Sequence, residues 1–185
     1  MIKKIFVLLL FFFFTNQSIA KDENIMILKL KDGDVIIELF PDIAPNHVER
    51  FINLSKEKKY DGVVFHRVID GFMAQTGDVE FGNSSSESYD LNRVGTGGSK
   101  YPDLKAEFSA LPHERGTLSM ARSSDPNSAN SQFFICFKAT PSLDRQYTVF
   151  GKVIKGMEFV DSIKKGTGSN GEVSKPDKII SLSAK

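Results

Sequence analysis

The chain has no tryptophan, one cysteine and three histidines in 185 residues, and each scarcity removes a class of chemistry. A lone Cys136 cannot close an intramolecular disulfide, so the fold must be held by packing and hydrogen bonds. Because Cys136 sits inside Phe133-Phe134-Ile135-Cys136-Phe137, its thiol is expected to be buried and inert rather than nucleophilic. His47, His66 and His113 are dispersed without zinc-ligand spacing, and there is no Gly-x-Ser-x-Gly element, so a hydrolase is the weakest functional reading and neither metal nor cofactor is expected. Gly95-Thr96-Gly97-Gly98-Ser99-Lys100 lacks the Walker spacing and no helical pattern follows it, which excludes a phosphate loop.

Charge of one sign is also missing. The chain carries 24 basic and 23 acidic side chains, and without Lys3 and Lys4 the balance is 22 against 23. With no basic block, nucleic acid and membrane surfaces are poor candidates for partners. The apolar run Ile5 to Phe14 is too short for the roughly 20 residues of a membrane span. Preceded by Lys3 and Lys4 and followed by Ser18-Ile19-Ala20, it reads as a secretory signal peptide over residues 1–20, cleaved after Ala20. Residues 21–185 then form one domain, large enough for a single core. No lipid-attachment cysteine follows Ala20 and no retention tetrapeptide ends the chain, so a periplasmic or secreted protein is expected.

What is present is a succession of short apolar runs. Ile25 to Leu30 and Val35 to Phe40 flank Lys31-Asp32-Gly33-Asp34, a hairpin signal. Pro45 suits a first helical turn, and Val48, Phe51, Ile52 and Ser55 fall on one face, which predicts a helix over 45–58 with His47 on its surface. Between Val79 and Glu107 the sequence turns to Gly, Ser, Asn and Asp without period, a long loop whose surplus is Asn83 to Asn92. Strands are predicted over 116–121, 132–137, 147–154 and 179–182, with a short helix carrying Met157, Val160 and Ile163 and stopped by Gly166. This pattern is mainly β, a sandwich or a barrel, and periodicity alone does not choose between them.

One stretch organises the rest: Phe65-His66-Arg67-Val68-Ile69-Asp70-Gly71-Phe72-Met73-Ala74-Gln75-Thr76-Gly77-Asp78. It sets Arg67, a permanent cation and a fixed fork of donors, into an otherwise apolar run. Taken singly, Arg67 could snorkel to water and Phe72 and Met73 could be ordinary core. The word order says more. This stretch resembles the signature of the cyclophilins, the peptidyl-prolyl cis-trans isomerases, and Gly95-Thr96-Gly97-Gly98, Gly116-Thr117-Leu118-Ser119-Met120-Ala121, Ser131-Gln132-Phe133-Phe134-Ile135 and Val149-Phe150-Gly151-Lys152-Val153 follow in the family's order.

The resemblance covers nearly everything after residue 25 and implies a closed eight-stranded antiparallel β-barrel capped by two α-helices. It implies an isomerase that speeds rotation about Xaa-Pro bonds and assists folding, without covalent intermediate, acting as a monomer on proline-containing peptides and unfolded chains. Arg67 would be catalytic. Phe72, Met73, Phe134 and Leu143 would wall a proline slot; Gln75, Gln132, Gly95, Thr96 and the backbone around Ala121 and Arg122 would hold the flanking peptide, with His66 and Tyr147 on the rim. Ser142 stands where the best-known members carry a cyclosporin-binding tryptophan, and Tyr147 where they carry a rim histidine, so cyclosporin binding is expected to be weak. The competing reading is a secreted proline-peptide binding or chaperone module whose catalysis is incidental.

Overall fold

The computed structural model describes residues 24–185; the expected signal segment, 1–20, lies outside them. Eight strands and two α-helices follow in the order β1 (Ile25–Leu30), β2 (Gly33–Leu39), α1 (Pro45–Lys56), β3 (Arg67–Ile69), β4 (Met73–Thr76), β5 (Thr117–Met120), β6 (Phe133–Cys136), β7 (Val149–Lys155), α2 (Met157–Asp161) and β8 (Ser181–Ala184). A single 3-10 turn, Pro141–Leu143, precedes β7. The strands form one sheet in the order β3-β4-β6-β5-β7-β2-β1-β8, every neighbouring pair antiparallel.

The opening hairpin is tighter than its Asp-Gly suggests: Leu30 pairs with Gly33, leaving Lys31 and Asp32 as the turn. Gly33 opens β2 by pairing with Leu30, at a position where a Cβ would stand 2.5 Å from the Phe159 ring of α2. On β2, Val35, Ile37 and Leu39 are buried while Asp34 is exposed, the period of two of a half-buried strand. Helix α1 sends Val48, Phe51 and Leu54 into the core, where Phe51 meets the rings of Tyr60, Phe133 and Phe150 at 5.1–5.3 Å. The helix ends at Lys56, two residues short of the expected 58, and Lys58 turns to φ 56°. Helix α2 likewise stops at Asp161, before Ile163 and well before Gly166, and β8 begins at Ser181 rather than 179.

Two expectations are corrected. The sheet is an open half-barrel, because no strand pairing joins β3 to β8 among the described residues. The outer edge of β3 is already taken: the Val68 N–H donates to the Gly171 carbonyl and the Val68 carbonyl accepts from Gly166. The seam is crossed instead outside the strands, by the bridge Val64↔Lys178 and by bonds from Gly62 and Ile179.

His47 is not a surface residue. It is wholly buried, with Nδ1 2.6 Å from a carboxylate oxygen of Glu107. Glu107 also accepts the backbone N–H groups of Asn46 and His47 at 3.2 Å each. It therefore caps α1 from 60 residues away in sequence, which Ala44 at the N-cap cannot do with its own side chain. Burial lowers the His47 pKa, with the Glu107 carboxylate opposing.

Candidate active site

The site follows from strand register. Arg67 pairs with Gln75, Gln75 with Phe134, and Phe134 with Ser119, so four residues line up across β3, β4, β6 and β5. Beside them runs a second row, Ile69 to Met73 to Cys136. Alternation sends the intervening Val68, Ala74, Phe133 and Ile135 into the main core. The sheet is therefore apolar on both faces here, and the outer face needs its own cover. Phe72, Ala121, Leu143 and Tyr147 supply it, packing around Met73, Phe134 and Cys136 in a cluster separate from the main core.

A polar chain edges this cluster. Arg67 is half-buried; its Nε donates to the Asn170 carbonyl at 2.9 Å, and its Nη1 reaches Gln75 Oε1 at 3.3 Å and Met73 Sδ at 3.9 Å. Gln75 Nε2 then donates to Gln132 Oε1 at 3.1 Å, and Gln132 Nε2 to the Gly97 carbonyl at 2.8 Å. No hydrogen bond among the described residues uses Arg67 Nη2, and no carboxylate pairs with this guanidinium.

The aromatic wall is fixed from behind. The Phe134 ring meets Tyr147 edge-on at 5.9 Å and stacks on His113 at 6.2 Å. His113 is buried; burial lowers its pKa against the pull of Asp144. Its Nδ1 lies 3.0 Å from Asp144 Oδ1 and its Nε2 3.0 Å from the hydroxyl of Ser119, which donates to the Thr148 carbonyl at 3.0 Å. Asp144 follows the 3-10 turn that carries Leu143, so His113 ties that wall of the cleft to β5.

Of the expected site residues, Arg67, Phe72, Met73, Gln75, Ala121, Gln132, Phe134, Leu143 and Tyr147 come together. Arg122 lies on the Tyr147 ring, its Cζ 4.5 Å from the centroid. His66 and Thr96 stand apart. His66, next to Arg67 in sequence, is 7% exposed rather than on a rim, and lies 3.1 Å from where a Cβ on Gly95 would stand; burial drops its pKa to about 4. Thr96 turns its hydroxyl back to the Arg93 carbonyl.

The residues that organise the 95–97 loop went unassigned in the sequence. Asp78 is fully buried and accepts four backbone N–H groups, from Glu80, Phe81, Gly95 and Gly97, at 2.7–3.1 Å. A side chain on Gly97 would stand 2.6 Å from that carboxylate. His113 and Ser119 also lacked a role, since nothing in their spacing announces that they meet. Cys136 is buried beneath Met73 and Phe134, as expected, with its thiol pushed up to about 12 by burial.

The fold is thus an open β half-barrel whose outer face carries an apolar cluster edged by a guanidinium and two amides. A family model for the cyclophilin type peptidyl-prolyl cis-trans isomerases matches residues 25–184, and the chain belongs to that family. It is 62% identical over 166 residues to a "Probable peptidyl-prolyl cis-trans isomerase" of Brucella suis, spanning 89% of this chain and 84% of the relative. It is 43% identical over 135 residues to "Peptidyl-prolyl cis-trans isomerase-like 3" of Gallus gallus, spanning 72% and 77%. The fold resembles a cyclophilin type peptidyl-prolyl cis-trans isomerase of Cryptosporidium parvum, crystallised in the presence of the dipeptide Ala-Pro, with TM-score 0.72 and 28% identity over 87% of this chain and 98% of that one. A cyclophilin of Hirschia baltica superposes with TM-score 0.72 at 24% identity, covering 94% of this chain and 81% of that one.

Proposed function

We propose that this isomerase works through Arg67, with a prolyl ring held in the notch of Phe72, Met73, Ala121, Phe134, Leu143 and Tyr147. Amide resonance opposes rotation about an Xaa-Pro bond with a barrier of about 18–20 kcal/mol. No bond has to be made or broken. In the twisted amide the proline nitrogen regains a lone pair, and a donor beside it binds that state better than the planar one. The observation that carries this reading is the row from Arg67 through Gln75 to Phe134, which sets a fixed donor one strand from the apolar slot. Arg67 Nη2, which has no hydrogen-bond partner among the described residues, is the donor available to the substrate. A preorganised donor of this kind contributes about 3–4 kcal/mol to a barrier.

Gln75, Gln132 and the backbone at Gly95, Thr96, Ala121 and Arg122 hold the flanking chain while the residue before proline turns. The Ala-Pro dipeptide of the Cryptosporidium crystals supports proline-containing peptides as the ligand class. In this reading the protein acts as a monomer on unfolded chains, after export directed by the Lys3 to Ala20 segment and removal of residues 1–20. Cyclosporin binding is weak in this reading, because Ser142 offers no aromatic face.

The test is cis-trans exchange in an Ala-Pro or Phe-Pro peptide followed with and without the protein. Exchange faster than the uncatalysed rate, in proportion to protein concentration, is expected; none above background overturns the proposal. Fractionation with sequencing of the mature amino terminus, expected at Lys21, tests the export.

A further inference from the structure

The guanidinium of Arg122 is built into the rim of the cleft and is not neutralised there. Its Nε and Nη2 donate to the Gln146 carbonyl at 3.3 and 3.0 Å, and its Nη1 to the Ser123 carbonyl at 2.8 Å. The same group stands over Tyr147, its Cζ 4.5 Å from the centroid of the ring that meets Phe134 edge-on. Three hydrogen bonds and an aromatic face thus hold one side chain in place. Its anchors are all uncharged: among the described residues no carboxylate forms an ion pair with Arg122. The two nearby acids in sequence are engaged elsewhere, Asp125 with the Asn127 N–H at 2.8 Å and Asp144 with His113 at 3.0 Å. Arg145, beyond Asp144, adds no negative charge.

Register fixes the scale of the cleft. The row from Arg67 to Ser119 crosses three strand spacings, on the order of 14 Å at about 4.8 Å each, and Arg122 follows Ser119 three residues on. From the apolar slot the path is shorter: Arg122 Cζ stands 4.5 Å from the Tyr147 centroid and that ring 5.9 Å from Phe134, at most about 10 Å together, which an extended chain at about 3.3 Å per residue covers in two or three residues and a side chain. From the uncompensated, immobilised cation at that distance we infer that this isomerase selects prolyl segments carrying a carboxylate two or three residues from the proline, read by the Arg122 guanidinium. The inference rests on the isomerase reading above and adds the chemical class of the substrate. Because Arg122 is already fixed by Tyr147 and three carbonyl contacts, ordering it for an incoming carboxylate costs little side-chain entropy.

The experiment compares kcat/KM, measured by NMR exchange without a coupling protease, for peptides identical except for Asp, Asn or Lys at each position from three before to three after a single proline. On one flank the Asp peptide is expected to exceed the Asn peptide about three- to fivefold at low salt, the size of a partly exposed charge pair, with Lys below Asn. At high salt the ratio should shrink toward one, because the pair is at the surface. In Arg122→Gln the Asp/Asn ratio should vanish, and in Arg122→Lys most of it should remain. An Asp/Asn ratio of one at every position, or a ratio that survives both salt and Arg122→Gln, overturns the inference. Turnover of the neutral peptide by the unaltered protein keeps this outcome distinct from failure of the isomerase reading. If Arg122→Gln fails to fold, the salt dependence of the unaltered protein decides.

Discussion

Arg67 and Gln75 face each other across one antiparallel pair, with Nη1 donating to Oε1 at 3.3 Å, and this contact fixes the sense of every amide beyond it. A guanidinium can only donate, so the Gln75 oxygen must face it. Its nitrogen then meets the Gln132 oxygen, and the Gln132 nitrogen the Gly97 carbonyl. The chain of amides is thus oriented from one permanent cation.

Because the Arg67 fork is set by these bonds, removing it should remove catalysis and spare the fold. Arg67→Ala is expected to lower kcat/KM about a hundredfold or more, the loss of one preorganised donor, with the thermal midpoint nearly unchanged. Arg67→Lys should remain far below the unaltered protein, since a point charge cannot keep both Asn170 and Gln75 while serving a substrate. Exchange rates and a melting curve on the same samples check both; turnover near that of the unaltered protein in either variant rejects the mechanism.

Phe134 has two duties, one in the site and one in packing, and two measurements on one substitution separate them. It is 5% exposed, wedged between Tyr147 and His113. Phe134→Ala should weaken peptide binding and cost about 3 kcal/mol of stability, the low end for a buried aromatic because this cover can partly collapse. Urea unfolding together with KM reads out both, and a loss of activity at full stability would show that the ring belongs to the site alone.

How much of this could be read from residues alone depended on period and locality. The β1–β2 hairpin, the Phe51 helix and the buried Cys136 were legible because their signals lie within a few residues. Apolar walls such as Phe72 and Phe134 were found through motif order, since period alone cannot say which face of a doubly apolar strand is the outer one. The open seam was not legible: it depends on the Gly166–Glu172 turn occupying the edge of β3, a contact about 100 residues away in sequence. The burial of His47 and the tie from His113 to Asp144 were hidden for the same reason, their partners lying 60 and 31 residues away.

Asp78 makes the most concentrated of these distant contacts, and its removal should loosen one side of the cleft. Asp78→Ala leaves four backbone donors without their acceptor, two of them in the 95–97 loop. Each buried, unsatisfied group costs about 1–3 kcal/mol, and water entering the loosened loop will recover part of it, so a net loss of about 3 kcal/mol is expected. Hydrogen exchange at the Gly95 and Gly97 amides should accelerate before global unfolding does. Unchanged protection at both would mean that the loop is held by something else.

His66 gives the stability of the protein a particular pH dependence. Burial holds its folded pKa at about 4, below the ordinary 6.5; Asp78 and the Val64 carbonyl oppose this and Arg67 reinforces it. A histidine whose pKa is depressed by folding binds fewer protons folded than unfolded, so its contribution is complete above pH 6.5 and is lost as pH falls from 6.5 toward 4. The full difference corresponds to roughly 3 kcal/mol. His47 and His113 are lowered in the same direction, also chiefly by burial, so the unaltered protein should weaken steeply through this window. His66→Gln should flatten the slope of unfolding free energy against pH between 6.5 and 4 while leaving the part due to the other two histidines. Urea midpoints at half-unit pH steps, with the His66 ring followed by NMR, measure the effect. Parallel slopes for the two proteins, or a ring that protonates near 6.5 in the folded state, would show that His66 is open to water beside Gly95 and not sealed under it.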